Sequence, residues 1–144
     1  MQSMKHEHEV HFAGKVAQKA IITDGEKVLI TRDVGDPDTW ELPGGRLNAD
    51  ELPPAGLARE IYEELGVDIE VGVPVYIEQF YHERDQANML LIAYEATLKD
   101  PAQEFSYGPD EVAEVTWITR DELDHQHLFA DTRRTLAHYF TLAK

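Results

Sequence analysis

The sequence predicts a layered domain of the α/β or α+β class, with strands and a few helices packed around one sheet. Three observations lead there. Apolar, β-branched runs recur at 16–23, 27–32, 88–98 and 112–118. Segments near 54–65, 119–122 and 131–142 carry helix signals instead. The chain has 144 residues and no cysteine, so one apolar core of ordinary size must hold it together without disulfides.

The elements follow in order. Residues 1–12 are polar and rich in His and Glu, and read as a loose arm or short edge strand ahead of one domain at 13–144. His6, His8 and His11 invite a metal reading, but a terminus without packing cannot fix ligand geometry, so solvation is the plainer reading. Residues 16–23 and 27–32 flank Asp24-Gly25, a strong turn signal, and predict a hairpin. A loop with Gly35 and Pro37 precedes a short extended piece, Trp40-Glu41-Leu42, which Pro43-Gly44-Gly45 ends. A helix is expected from about Pro54 to Leu65, with proline in its first turn and Gly66 just past its end. Pro53-Pro54 and Gly56 fray that first turn, since an interior glycine costs about 1 kcal/mol relative to alanine. Residues 67–81 form one or two strands, interrupted at Gly72 and Pro74. Residues 88–98 are apolar enough for a central strand, and 112–118 give another. Thr119 and Glu122 have capping-box spacing, and Asp131 is placed to cap a last helix through Leu142.

Composition excludes several functions. No apolar run approaches the about 18 residues of a membrane span, and the N-terminus lacks a signal-peptide core, so a cytoplasmic protein is expected. Without cysteine there is no thiol nucleophile and no thiolate metal site. A formal charge of −15 argues against long nucleic acid or an anionic membrane as partner. It also repels a phosphorylated small molecule, so a phosphate site here needs metal ions and a few placed arginines.

Chemistry concentrates at 45–67. On the expected helix Glu60, Glu63 and Glu64 share one face, and Leu57, Ala58, Ile61 and Leu65 form a separate stripe about 120° away. Like charges so spaced repel by a few tenths of a kcal/mol per pair, a term that a hard divalent cation reverses. Taken alone, three glutamates are an ordinary solvated face. The surrounding residues change that reading. Gly45 is followed, after five residues, by Glu51. Seven residues later comes Arg59-Glu60-Ile61-Tyr62-Glu63-Glu64-Leu65-Gly66-Val67. This resembles the Nudix signature at every specified position, a match whose chance frequency is on the order of one in a billion per starting point. Trp40-Glu41-Leu42-Pro43-Gly44 resembles the family's lead-in.

The resemblance implies an α/β/α sandwich with a mixed sheet and a hydrolase. It would cleave a phosphoanhydride bond in a nucleoside diphosphate derivative, giving a nucleoside monophosphate and phospho-X, with Mg²⁺ or Mn²⁺. It implies that Glu60, Glu63, Glu64 and the Gly44 carbonyl bind metal. Arg59 would hold Glu60 or Glu51 by charge-assisted bonds, and Gly45 would let the backbone approach metal and phosphate. The family's general base varies: Glu60 is the first candidate, with Asp110, Glu111 and Glu114 as alternatives or further ligands. Arg32, Arg46 and Arg84 are candidates to reach a substrate phosphate, each equally readable as a surface arginine. Phe80, Tyr81 and Tyr76 can stack on a base or fill the core. His125 and His127 fit a helix end better than a ligand set.

Nothing in the sequence fixes X. A proline associated with ADP-ribose enzymes would fall near His82 and is absent. The tyrosine linked to dinucleoside polyphosphates would fall near Glu83, with Tyr81 off register. The Ser-Gln-Pro-Trp run of NADH pyrophosphatases is missing. Elimination leaves a MutT-like activity on nucleoside triphosphates, beside an ADP-ribose or other sugar-nucleotide pyrophosphatase. Two rivals stand outside catalysis: a nucleotide-sensing module on the same fold, and an acidic helix facing a basic partner. The resemblance also admits a homodimer.

Overall fold

Ala20, Ile21 and Ile22 are all fully buried, so the first strand, β1 (Gly14–Asp24), is covered on both faces. Period two sends Ala20 and Ile22 to one side of the sheet and Ile21 to the other. That is why the segment reads as a continuous apolar run instead of an alternation. The computed structural model describes residues 9–36 and 38–142. The remaining elements are β2 (Lys27–Asp33), β3 (Trp40–Glu41), β4 (Gly44–Arg46), α1 (Pro53–Leu65), β5 (Ile69–His82), β6 (Ala87–Leu98), β7 (Val112–Ile118), a 3₁₀ turn (Arg120–His125) and α2 (Ala130–Tyr139).

The sheet is mixed. β1 runs parallel to β6, from Gly14 opposite Asn88 to Ile22 opposite Ala96. β6 pairs antiparallel with β5, the edge strand. On its other side β1 meets β4 antiparallel at residues 17–19, then turns into the hairpin with β2. β2 in turn carries β3 and β7. Helix α1 buries Leu57, Ile61 and Leu65 against Ala20, Ile22, Tyr94 and Ala96. Helix α2 sets Leu136 and Tyr139 against Ile21, Ile30, Leu91 and Ala93 on the opposite face. One helix thus covers each side of a mixed sheet, the expected sandwich.

Local signals explain most boundaries. Proline opens α1, and Gly66 closes it at φ 70°, its amide donating to the Tyr62 carbonyl at 2.9 Å. The Thr119 amide and hydroxyl donate to Glu122 at 3.1 and 2.9 Å, the expected capping box. Residues 67–81 resolve to one strand: Gly72 and Pro74 only shift the register, between Val71 and Tyr76, on an edge where a missing N–H is tolerated. Helix α2 differs from expectation. Its N-cap is Phe129, Asp131 lies in the first turn without capping, and the helix stops at Tyr139, short of Leu142. Residues 1–8, with His6 and His8, lie outside the described residues. His11 sits 3.6 Å from Glu9.

Candidate active site

The α1 register that buries Leu57, Ile61 and Leu65 turns Glu60 and Glu64 toward a cleft of about 1020 Å³. Its walls come from β1, the β2–β3 loop, β4, α1, β5, β6, the β7 approach and the start of α2. Sequence-expected residues that line it are Gly44, Gly45, Arg46, Glu60, Glu63, Glu64, Phe80, Arg84, Asp110 and Glu111.

Arg59 organises the acids. Its Nε and Nη2 donate to the two Glu51 oxygens at 2.9 and 2.8 Å, Nη2 reaches Glu60 at 3.1 Å, and Nη1 reaches Glu63 at 3.0 Å. One guanidinium therefore holds three carboxylates through the two-pronged geometry that only arginine offers. These bonds hold the Glu51 carboxyl below its usual range and raise the guanidinium's own pKa. Glu51 does not line the cleft; it anchors Arg59 from behind and accepts from the Asn48 amide at 3.1 Å.

Two glycines make room for this arrangement. A Cβ on Gly45 would meet the Glu60 carboxyl carbon at 2.5 Å, so the Glu60 head packs directly on backbone at the turn. A Cβ on Gly56 would meet the Glu51 carboxyl carbon at 2.7 Å. The helix-interior glycine, unexplained as local structure, is the seat of the Glu51–Arg59 clamp.

Glu64 is different. Burial pushes its pKa up to about 8; Lys19 opposes the shift, and Glu60, Asp33 and Glu111 add to it. Four carboxylates from three parts of the chain thus act on one another within the cleft. Among the described residues no three His, Asp or Glu side chains form a ready-made ligand cluster, since Arg59 draws Glu60 and Glu63 to itself. The donor set still fits a hard cation: it is all oxygen, and it includes a half-buried carboxyl, its pKa pushed up to about 8, whose anion added positive charge would favour.

Other expected residues fall elsewhere. Arg32 does not line the cleft; it pairs with Glu114 at 3.2 Å and lies 5.7 Å over the Trp40 ring. The cause is register, because β2 and β7 place Arg32 directly opposite Glu114. Arg32, expected at a substrate phosphate, and Glu114, expected as a base or ligand, are thus paired with each other outside the cleft lining. Tyr76 packs on His138 and donates to Glu78 at 3.0 Å, while Tyr81 is exposed outside the cleft. His125 and His127 lie outside it as well. Arg46 lines the cleft but is paired with Asp85, which also lies 3.4 Å from His82.

The sequence reading missed Asp33, Lys19 and Glu41. Lys19 donates to Glu41 at 2.9 Å and to the Leu42 carbonyl at 3.1 Å, with its side chain only 15% exposed. Burial works against the ammonium, but Glu41, with Asp131 and Glu64, outweighs it and holds the pKa above the usual range. A lysine immediately before the buried run Ala20-Ile21-Ile22 was the available signal.

Comparison with known proteins agrees with this geometry. The NUDIX domain family profile matches residues 14–140. A MutT-like protein of Streptomyces ambofaciens is 31% identical over 119 residues, covering 83% of this chain and 69% of that protein. The NAD-capped RNA hydrolase NudC of Mycobacterium tuberculosis is 31% identical over 105 residues, 72% of this chain but 32% of NudC. The solution structure of the E. coli ORF135 protein superposes with a TM-score of 0.77, at 24% identity and covering 91% of each chain. With the complete signature at 45–67, its helical acids Glu60, Glu63 and Glu64 turned to one cleft and the family profile matching residues 14–140, this chain belongs to the Nudix family of hydrolases.

Proposed function

We propose that residues 13–144 form one domain that hydrolyses a nucleoside diphosphate derivative at a phosphoanhydride bond, with nucleoside triphosphates as the preferred class. The observation that carries the reading is the Arg59 clamp: it ties Glu51, Glu60 and Glu63 to one guanidinium, with Glu60 packed on Gly45. A sensing module or an acidic docking helix has no use for such a clamp.

Glu60, Glu63, Glu64 and the Gly44 carbonyl would hold Mg²⁺ or Mn²⁺. When bound, the ion neutralises phosphate oxygens and lowers the pKa of water that it coordinates. Arg59 keeps Glu60 and Glu63 oriented, and Gly45 keeps the backbone low enough for a diphosphate to approach. The general base is Glu60, Asp110 or Glu111, all of which line the cleft. Arg84 lines the cleft with no ion-pair partner among the described residues, and is the cation best placed for a phosphate.

The test is phosphate and pyrophosphate release across nucleoside triphosphates, oxidised deoxynucleotides, ADP-ribose, sugar nucleotides and dinucleoside polyphosphates, with Mg²⁺ and with EDTA. Metal-dependent release of pyrophosphate and a monophosphate from a triphosphate is expected. Silence from folded protein, with Mn²⁺ also tried, would turn the reading toward sensing.

A further inference from the structure

Lys19 and Glu41 line the cleft, yet the reaction as proposed gives neither a role. Their setting is specific. Lys19 and Ala17 alternate along β1 on the side that carries Ile21 into the α2-side core. Ala17 is opposite Leu91 of that core, and Met89 of β6 is opposite Phe80 of β5. Ala17, Met89 and Phe80 therefore form an apolar floor across three neighbouring strands, in a cleft otherwise lined mainly by charge. Lys19 stands at one end of this floor, bonded to Glu41.

The pair is largely withdrawn from water, with side chains 15% and 24% exposed. It is not closed on itself. Among the described residues two of the three ammonium N–H groups are used, by Glu41 Oε1 and the Leu42 carbonyl, and Glu41 Oε2 accepts no bond. A donor and an acceptor thus remain side by side at the edge of a flat apolar surface. A buried ion pair gains little stability over apolar packing of the same volume. A desolvated donor–acceptor pair instead discriminates strongly, because a ligand that leaves it unmatched forfeits both bonds.

We propose that Lys19 and Glu41 read the edge of a nucleobase lying on the Ala17–Met89–Phe80 floor. The ammonium donates to a ring nitrogen or carbonyl, and the carboxylate accepts from the adjacent N–H. The proposal rests on the nucleotide reading above and adds a base-recognition subsite to it.

The experiment is isothermal titration of the full chain, with Mg²⁺ present, using the four ribonucleoside 5′-monophosphates and purine riboside 5′-monophosphate. The last stacks like the others but offers no N–H at its edge, and none has an anhydride to hydrolyse. At least one natural monophosphate is expected to bind tenfold or more tightly than purine riboside monophosphate. Glu41→Gln, checked for folding by thermal melts, is expected to narrow that gap, and Lys19→Met to weaken natural and control ligands together, since purine riboside keeps its ring nitrogens. Equal binding of all five by the unaltered protein overturns the proposal, and that comparison needs no variant. A gap that survives undiminished in folded Glu41→Gln overturns it too, leaving the pair a latch on the Leu42 turn. Turnover of triphosphates is measured in parallel. A gap without turnover would sink the hydrolase reading and keep the subsite, and turnover without a gap would do the reverse.

Discussion

At the residue scale the site is a contest between like charges and the few cations that hold them. Glu63 is the most exposed acid of the clamp, its side chain 57% accessible, so its replacement is structurally mild. Glu63→Gln keeps the size and removes the charge; kcat is expected to fall by several orders of magnitude with the melting temperature almost unchanged. Wild-type turnover in that variant would remove Glu63 from the metal site. Glu64 supplies a pH prediction. Its folded pKa, about 8, lies above the 4.5 of an unfolded glutamate, so the folded state holds the proton more tightly. Its contribution to stability is complete below about pH 4.5 and is lost as pH rises through 8. In EDTA the melting temperature should therefore drop between pH 6 and 8.5, and Glu64→Gln should shrink that drop. Mg²⁺ should stabilise the protein most at the alkaline end. Titrations at pH 7 in buffers of different ionisation enthalpy should show proton release on Mg²⁺ binding. An unchanged pH dependence in the variant would mean that Glu64 is ionised throughout.

At the scale of elements, α1 has a substrate side and a core side, and a glycine sits where one would not choose it. Gly56 is buried in the helix interior, and its hydrogen atom faces the Glu51 carboxyl. Gly56→Ala gains about 1 kcal/mol of helix propensity, offset by displacement of a carboxylate that Arg59 grips with two bonds. Stability should change by only a few degrees while kcat falls about tenfold or more, the effect expected of a misplaced catalytic group. A stabilised, fully active variant would show that the clamp does not position the acids. The capping box is the contrasting case, far from the cleft: Thr119→Ala should cost about 1 kcal/mol in denaturant melts and leave kcat/KM untouched.

At the scale of the whole molecule, the formal charge of −15 sets the long-range field. Cations in the cleft are mostly committed: Lys19 to Glu41, Arg46 to Asp85 and Arg134 to Glu78. An anionic substrate therefore approaches against repulsion that salt screens, over a Debye length of about 8 Å at 0.15 M. At saturating Mg²⁺, kcat/KM for a triphosphate is expected to rise a few-fold between about 0.01 and 0.15 M salt. A steep fall instead would place Arg84 and its neighbours in command of the approach.

The sequence by itself determined what short-range chemistry can encode. The α1 register, its proline start and Gly66 end, the β1–β2 hairpin and the signature acids all depend on residues within a few turns of each other. For the same reason the Glu60–Glu63–Glu64 face was legible before any coordinates, as were Glu51 and Glu60 as partners of Arg59, whereas its bond to Glu63 was not. The tertiary structure alone decided which distant residues join them. Asp33 and Glu111 enter the cleft, whereas Arg32 and Glu114, one and three residues away, spend their charges on each other. In a strand each step of one residue reverses the face, and the partner across the ladder comes from another part of the chain. Position 19 faces position 44 because β1 and β4 pair in one register and no other. That pairing is long-range, and so a lysine in the middle of β1 became a half-buried cation at the edge of the site.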